Sequence, residues 1–351
     1  MASQRPGYIY AIAAAVLFGA STPAAKWLLS GASPWLLAGL LYLGSGFGLL
    51  LVRVLRNYWK PDRVDAAIQG GDWLWLGGAT LFGGVLAPVF LMMGLSLSDS
   101  ATTSLLLNLE GVFTALLAWF VFKENFDKRI MFGMGAILAG SLLLSWSGFS
   151  PGKSILGITL IVAACLSWAI DNNLTKKVAA GDALQIAMTK GLVAGIVNTA
   201  LAVWISHLSV TSTKAVFAGI VGFLGYGVSL LCFVLALRKI GAARTGAYFS
   251  LAPFVGAAIA LVFGDASFSW QLVLASGLMG IGIWLHLSER HEHEHAHEWQ
   301  EHDHGHIHDA HHRHVHSADD PPGEPHAHRH QHERLVHTHP HFPDAHHMHA
   351  H

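Results

Sequence analysis

Charge is what this 351-residue chain has least of: Asp, Glu, Lys and Arg together make up 12% of it, while 52% is hydrophobic. A soluble domain carries about twice that share of charge, so a soluble fold is disfavoured and a polytopic membrane protein expected. Cysteine is nearly absent. Cys165 and Cys232 each sit inside an apolar run, which leaves no disulfide framework and no redox pair. No phosphate-loop pattern occurs, which disfavours a nucleotide-driven pump. The apolar runs also lack the cluster of nucleophile, base or metal ligands that a membrane-embedded enzyme would need, so the chain is expected not to be an enzyme. Nucleic acid is not among the expected partners.

What is there is long apolar runs. Roughly 20 apolar residues at ~1.5 Å each cross the hydrocarbon. Such runs begin near Tyr8, Trp35, Trp73, Ala101 and Ile130, and again near Ser154, Ala183, Ala215, Gly246 and Trp270. The run from Tyr8 to Leu29 exceeds a signal-peptide core and reads as the first span. The expected fold is therefore an all-α membrane protein with about ten transmembrane helices. Cationic loops orient it, because cytoplasmic connections retain Lys and Arg. Arg53, Arg56, Lys60 and Arg63 follow the second run, Lys123, Lys128 and Arg129 the fourth, Lys176 and Lys177 the sixth, and Arg238, Lys239 and Arg244 the eighth. The odd-numbered connections hold only Lys153 and Lys214. Both termini are then cytoplasmic, in a cell or inner membrane.

The chain also repeats itself. A shift of 150 residues sets Phe18-Gly19 on Trp168-Ala169, Pro23 on Asn173 and Lys26 on Lys176, and a shift of 142 sets Ala101, Leu109, Gly111 and Ala118 on Ala243, Leu251, Pro253 and Ala260. Five spans are an odd number, so a second copy enters the membrane inverted, as in many secondary transporters. The expected units are residues 1–146 as the first five-helix repeat, 147–153 as linker, 154–287 as the second repeat and 288–351 as a cytoplasmic histidine-rich tail. Ala101 to Glu124, Ala-Thr-Thr-Ser-Leu-Leu-Leu-Asn-Leu-Glu-Gly-Val-Phe-Thr-Ala-Leu-Leu-Ala-Trp-Phe-Val-Phe-Lys-Glu, with its counterpart Ala243 to Ala260, resembles the EamA-type permeases of the drug/metabolite transporter superfamily. The resemblance covers nearly all of residues 8–287 and implies transport of a small solute without saying which. Those permeases usually have Pro after the Glu. Gly111 stands there in the first repeat and Pro253 in the second, so a kink is less assured in the fourth helix.

Ionisable side chains inside apolar runs are the first candidates for function, because burying them in hydrocarbon is costly. Glu110 lies about 15 Å along the fourth run, near mid-membrane, and could exchange a proton or pair with a cationic substrate; the alternative is a carboxyl that hydrogen-bonds a neighbouring helix to fix packing. Asn108, two residues before it, is a further substrate or proton candidate, and Asp171 lies near the inner end of the sixth run, where a gate, a cytoplasmic ion pair and substrate contact are all open. Lys190 is about 10 Å inside the seventh, where its stem reaches the headgroups by snorkelling; the alternative is an internal cation that meets an anionic substrate or counters Glu110. Phe18 and Trp168 hold matching positions in the two repeats, so cavity lining competes with packing for both. Lys26 and Lys176 read as interfacial anchors. The glycine runs Gly44 to Gly48 and Gly222 to Gly227 read as close helix contacts.

The end of the chain is a different material. Residues 1–287 carry 17 Lys and Arg against 10 Asp and Glu, residues 288–351 carry 4 against 12, and 23 of the 25 histidines lie at or beyond His291. Histidine alternates with single other residues at His291, His293, His295 and His297, at His302, His304, His306 and His308, and at His326, His328, His330 and His332. Imidazole suits zinc, nickel, cobalt and copper(II), so these positions are candidate metal ligands in many labile sites, on a tail that its composition predicts to be disordered. No cofactor is required. The leading expectation is a secondary carrier of a small metabolite or amino-acid-like solute, working by alternating access and coupled to a gradient. The second is a divalent-metal transporter for nickel, cobalt or zinc, with the tail as reservoir or sensor. The expected partners are the substrate and the lipid bilayer, with a homodimer open.

Overall fold

The computed structural model of the chain describes residues 5–59, 68, 70–122, 128–146, 154–178, 182–205 and 210–287, and in the tail 292–297, 300–306, 326–332 and 335–340. The expected linker 147–153 lies outside the described residues, as do Lys60, Arg63, Lys123, His291 and His308. Up to residue 287 every regular element is helical. In order they are α1 (Arg5–Leu29), α2 (Pro34–Trp59), α3 (Asp72–Ala79), the π-helical segment π1 (Thr80–Leu86), α4 (Ala87–Ser96), α5 (Ser100–Leu106), α6 (Leu109–Phe122) and α7 (Lys128–Trp146). Then come α8 (Ile155–Lys176), α9 (Ala183–Ile205), α10 (Ser212–Val221), π2 (Gly222–Val228), α11 (Ser229–Phe249), α12 (Ala252–Val262) and α13 (Trp270–Leu287). Among the described residues, seven helices are long and apolar enough to cross a membrane, and three shorter apolar helices accompany them, Met131–Leu144, Ala252–Val262 and Trp270–Leu285.

Local chemistry sets several starts. The Asp99 side chain accepts from the Thr102 amide at 2.7 Å and opens α5, and the Ser154 hydroxyl accepts from the Gly157 amide and opens α8. The fourth run is broken although it has no proline. Leu107 and Asn108 leave the helix, where Asn108 donates its amide N–H to the Leu105 carbonyl at 3.1 Å and its side-chain Nδ2 to the same oxygen at 3.0 Å. Asn competes with the helix for its own backbone carbonyls, so the break that Gly111 made less assured arises three residues earlier. Its counterpart lies at Ser250 and Leu251, ahead of Pro253; the 142-residue shift superposes Asn108 on Ser250. The same shift carries Thr80, the first residue of π1, onto Gly222, the first of π2.

One expectation is corrected. Arg238, Lys239 and Arg244 do not sit in a connection between separate helices, since α11 is continuous through them. Gly241, Ala242 and Ala243 offer no proline to stop the helix, and Ala favours it most. In the tail the backbone pairs β1 (Glu292–His297) with β4 (Leu335–Pro340) and β2 (Gln300–His306) with β3 (His326–His332), both antiparallel. Strict alternation has the period of two that strands use.

Packing joins early helices to late ones. The main contacts set α2 on α9, α1 on α11 and α12, α8 on α4 and α6, α5 on α12, and α7 on α13. Gly39 lies against Thr199 and Gly46 against Gly191 and Leu192, so α2 and α9 run in opposite directions. A Cβ on Gly46 would lie 2.5 Å from the Leu192 amide nitrogen, and one on Gly191 would lie 2.7 Å from that of Gly46. Lipid-embedded helices associate through such small residues, because hydrocarbon supplies no hydrophobic drive between them.

Substituting Gly191→Ala should therefore lower the thermal unfolding temperature of the detergent-purified protein, with overpacking costing about 1–3 kcal/mol. Gly277→Ala, whose new Cβ meets nothing within 4 Å, should leave that temperature unchanged or raise it. Equal tolerance at both positions would show that the α2–α9 contact is not constrained by its glycines.

Candidate functional site

Helix α8 brings the polar site together. Its apolar length ends in a polar triplet, Asp171-Asn172-Asn173, and each member reaches a different neighbour. Asp171 accepts from the Lys190 ammonium of α9 at 2.6 Å on Oδ1 and 2.7 Å on Oδ2, and from the Thr175 hydroxyl at 2.8 Å. Lys190 also lies 3.4 Å from Thr175 Oγ1. Asp171 and Lys190 are each only 6% exposed. The snorkelling expected of Lys190 is thus corrected: a carboxylate one helix away gives the ammonium a partner inside the protein, and its stem does not run to the surface.

Asn172 turns to the other side of α8, where its Nδ2 donates to Glu110 Oε1 at 2.8 Å and lies 3.4 Å from Thr114 Oγ1. Asn173 Nδ2 donates to the Ala169 carbonyl at 2.8 Å and approaches the Thr114 carbonyl at 3.4 Å. Glu110 sits in the first turn of α6, just beyond the break, and Asp171 and Lys190 are within its electrostatic reach. Asn108, proposed alongside it, is not brought to this group; beyond its bonds to Leu105 it meets Met279 Sδ at 3.6 Å. Lys26, expected as an interfacial anchor, donates to the Leu95 and Ser98 carbonyls at 2.7 and 2.6 Å, capping the end of α4 as a cation suits a helix C-terminus.

The segment π1 supplies the floor. A π-helical turn holds one residue too many for the α pattern and leaves backbone groups free for other partners. The Gly83 carbonyl accepts from Tyr42 Oη at 2.7 Å and from Trp168 Nε1 at 3.1 Å, and the Gly84 carbonyl accepts from Asn198 Nδ2 at 3.0 Å. Any side chain on Gly83 would overlap the Asp171 carboxylate, so glycine there lets the ion pair sit against the backbone. Phe18 and Trp168, matched by the repeat, touch edge to face with ring centroids 6.0 Å apart. Tyr226 of π2 packs on Phe18 at 5.8 Å and on Tyr42 at 5.4 Å.

The sequence reading missed Tyr42, Asn172, Asn173, Thr175, Asn198 and Tyr226. Three adjacent polar residues at 171–173 were the available signal for two of them. Among the described residues no group of three or more His, Cys, Asp or Glu could hold a metal ion; the side chains of the tail histidines lie outside that description.

Residues 5–146 and 155–288 each match the EamA-like transporter family. An uncharacterized transporter of Methanothermobacter thermautotrophicus is 27% identical over 292 residues, 80% of this chain and 85% of that protein. A Pseudomonas fluorescens protein named as a probable 4-amino-4-deoxy-L-arabinose-phosphoundecaprenol flippase subunit, ArnE, is 40% identical over 86 residues, 24% of this chain and 72% of its own. A crystal structure shares the fold with a TM-score of 0.60 at 18% identity, covering 81% of this chain and 96% of that one. Apolar helices and these relatives define an integral membrane transporter that takes a small molecule within the bilayer. The chain belongs to the EamA-like transporter family.

Removing one partner of a buried ion pair strands the other, at a cost of about 3–5 kcal/mol. Asp171→Asn or Lys190→Met should therefore lower the unfolding temperature sharply, while the double variant Asp171→Asn/Lys190→Met should recover most of the loss. Additive losses in the double variant would show that the two charges are not coupled.

Proposed function

We propose that the chain is a secondary transporter of ten spans, built as two inverted five-helix repeats over residues 1–146 and 154–287, with a linker at 147–153 and a cytoplasmic histidine-rich tail at 288–351. Supporting the repeat are the two separate family matches, the pairing of π1 with π2 and of the two helix breaks at one shift, and the contact between Phe18 and Trp168. Inversion is supported by the opposite directions of α2 and α9. Cytoplasmic termini are supported by the cations that follow the second, fourth and sixth apolar runs.

The substrate is a small metabolite or amino-acid-like solute, moved by alternating access and coupled to a proton or ion gradient. One observation carries this reading: the Glu110 carboxylate, among apolar helices, meets the neutral amide of Asn172 while the nearby ion pair satisfies itself. An acidic group without a matched cation can bind and release a proton or a substrate charge. Glu110, Asp171, Lys190, Trp168 and Phe18 form the transport site, with Asn108 at the helix break as its hinge. Glu110→Gln should abolish solute-driven proton movement into proteoliposomes, read by an internal pH dye over a metabolite panel, and leave the size-exclusion profile intact. Undiminished flux would remove Glu110 from the mechanism.

The second reading, a nickel, cobalt or zinc transporter, is favoured by the tail, whose backbone register sets His302 against His330, His304 against His328 and His306 against His326. Zinc, nickel, cobalt or copper(II) bound there should raise the unfolding temperature of the full chain and not of residues 1–290 alone. Metal flux in proteoliposomes is the deciding measurement, and its absence sinks this reading.

A further inference from the structure

The hydrogen-bonding balance of the site is lopsided, and the direction of the imbalance bears on the chemistry of the substrate. An ammonium has three N–H donors and no acceptor. Lys190, the only Lys or Arg buried among the described residues, faces three acceptor atoms within 3.4 Å, Asp171 Oδ1, Asp171 Oδ2 and Thr175 Oγ1. Its donors are fully engaged, so among the described residues a substrate carboxylate or phosphate entering the site meets no available buried cation.

Acceptors, in contrast, are in surplus. Asn173 and Asn198 are buried, and their Nδ2 atoms are committed to carbonyls, which fixes the orientation of each amide; Asn173 Oδ1 and Asn198 Oδ1 then receive no hydrogen bond, and the Tyr226 hydroxyl, which can give or take one, is also without a partner. A buried acceptor left unmet costs about 1–3 kcal/mol, a deficit that a donor-bearing ligand removes. Glu110 adds a carboxylate that takes one bond from a neutral amide, where about four lone-pair sites exist.

Aromatic faces complete the pattern. Trp168 lies four residues before Asn172 on α8, so the indole and the amide that holds Glu110 share one helix face. Phe18 and Tyr226 continue the aromatic surface from α1 and π2. Ring faces attract cations and repel anions. We infer that the substrate is an organic ammonium ion with an apolar body, its cationic head held by Glu110 and its body lying against Phe18, Trp168 and Tyr226. This inference rests on the transporter reading for the location of the site and narrows it to one charge class.

Calorimetric binding to the purified full-length protein tests it with four probes of similar size: phenethylammonium, benzyltrimethylammonium, 3-phenylpropionate and 2-phenylethanol. The expected result is that the two ammonium ions bind at least about tenfold more tightly than the carboxylate and the alcohol. Glu110→Gln should weaken the ammonium ions by at least about tenfold, and Phe18→Ala should weaken them while keeping the preference for positive charge. Glu110→Asp, which retains the charge, serves if the Gln variant does not fold, and should keep the order of the four probes. Failure of both ammonium ions to bind, equal or tighter binding of the carboxylate or the alcohol, or ammonium affinity unchanged in Glu110→Gln would overturn the inference. Flux in proteoliposomes separates the two levels: ammonium binding without flux of either ion counts against transport and leaves the charge class standing, whereas flux of the carboxylate alone leaves transport standing and overturns the charge class.

Discussion

Where Gly46 of α2 meets Gly191 of α9, two backbones touch with no side chain between them, and the placement of the polar site follows from that contact. It draws α9 close enough for Lys190 to reach Asp171 on α8, and for Asn198 to reach the Gly84 carbonyl in π1. A lipid-embedded protein has no hydrophobic drive with which to force such an approach. Small residues allow it, and the hydrogen bonds formed across the gap hold it.

Each polar side chain near the centre then answers a backbone irregularity. The surplus residue in π1 directs the Gly83 and Gly84 carbonyls outward, and Tyr42, Trp168 and Asn198 take them up. The break at Leu107 and Asn108 places Glu110 at the start of a new helix rather than in the middle of an old one. Departures from regular helix in a membrane are tolerated where protein groups satisfy the freed atoms, and here those satisfying groups are also the candidate site.

Much of the helical architecture was legible in the sequence because span length and hydropathy are sums over about 20 residues, which a few misplaced side chains cannot disturb. The candidate site was legible in part. Glu110, Asp171 and Lys190 stood out as charges in apolar runs, and Phe18 and Trp168 as repeat partners. What could not be read was who meets whom: Lys190 near a helix end looks able to snorkel until the fold sets Asp171 beside it. The π segments were hidden for a different reason, since one extra residue in a turn leaves no mark on hydropathy, and Gly222 to Gly227 read only as a packing face. The break at Asn108 carries no proline to mark it, since an Asn side chain can compete for a helix carbonyl without one.

The closed pairing of Asp171 with Lys190 has an electrical meaning. Together they carry no net charge, so a rearrangement that keeps them joined does almost no work against the membrane voltage. A lone elementary charge crossing the full potential exchanges about 2.3 kcal/mol per 100 mV. Under the proposed function, voltage acts in this core through Glu110 and whatever neutralises it, while the joined pair around them stays neutral.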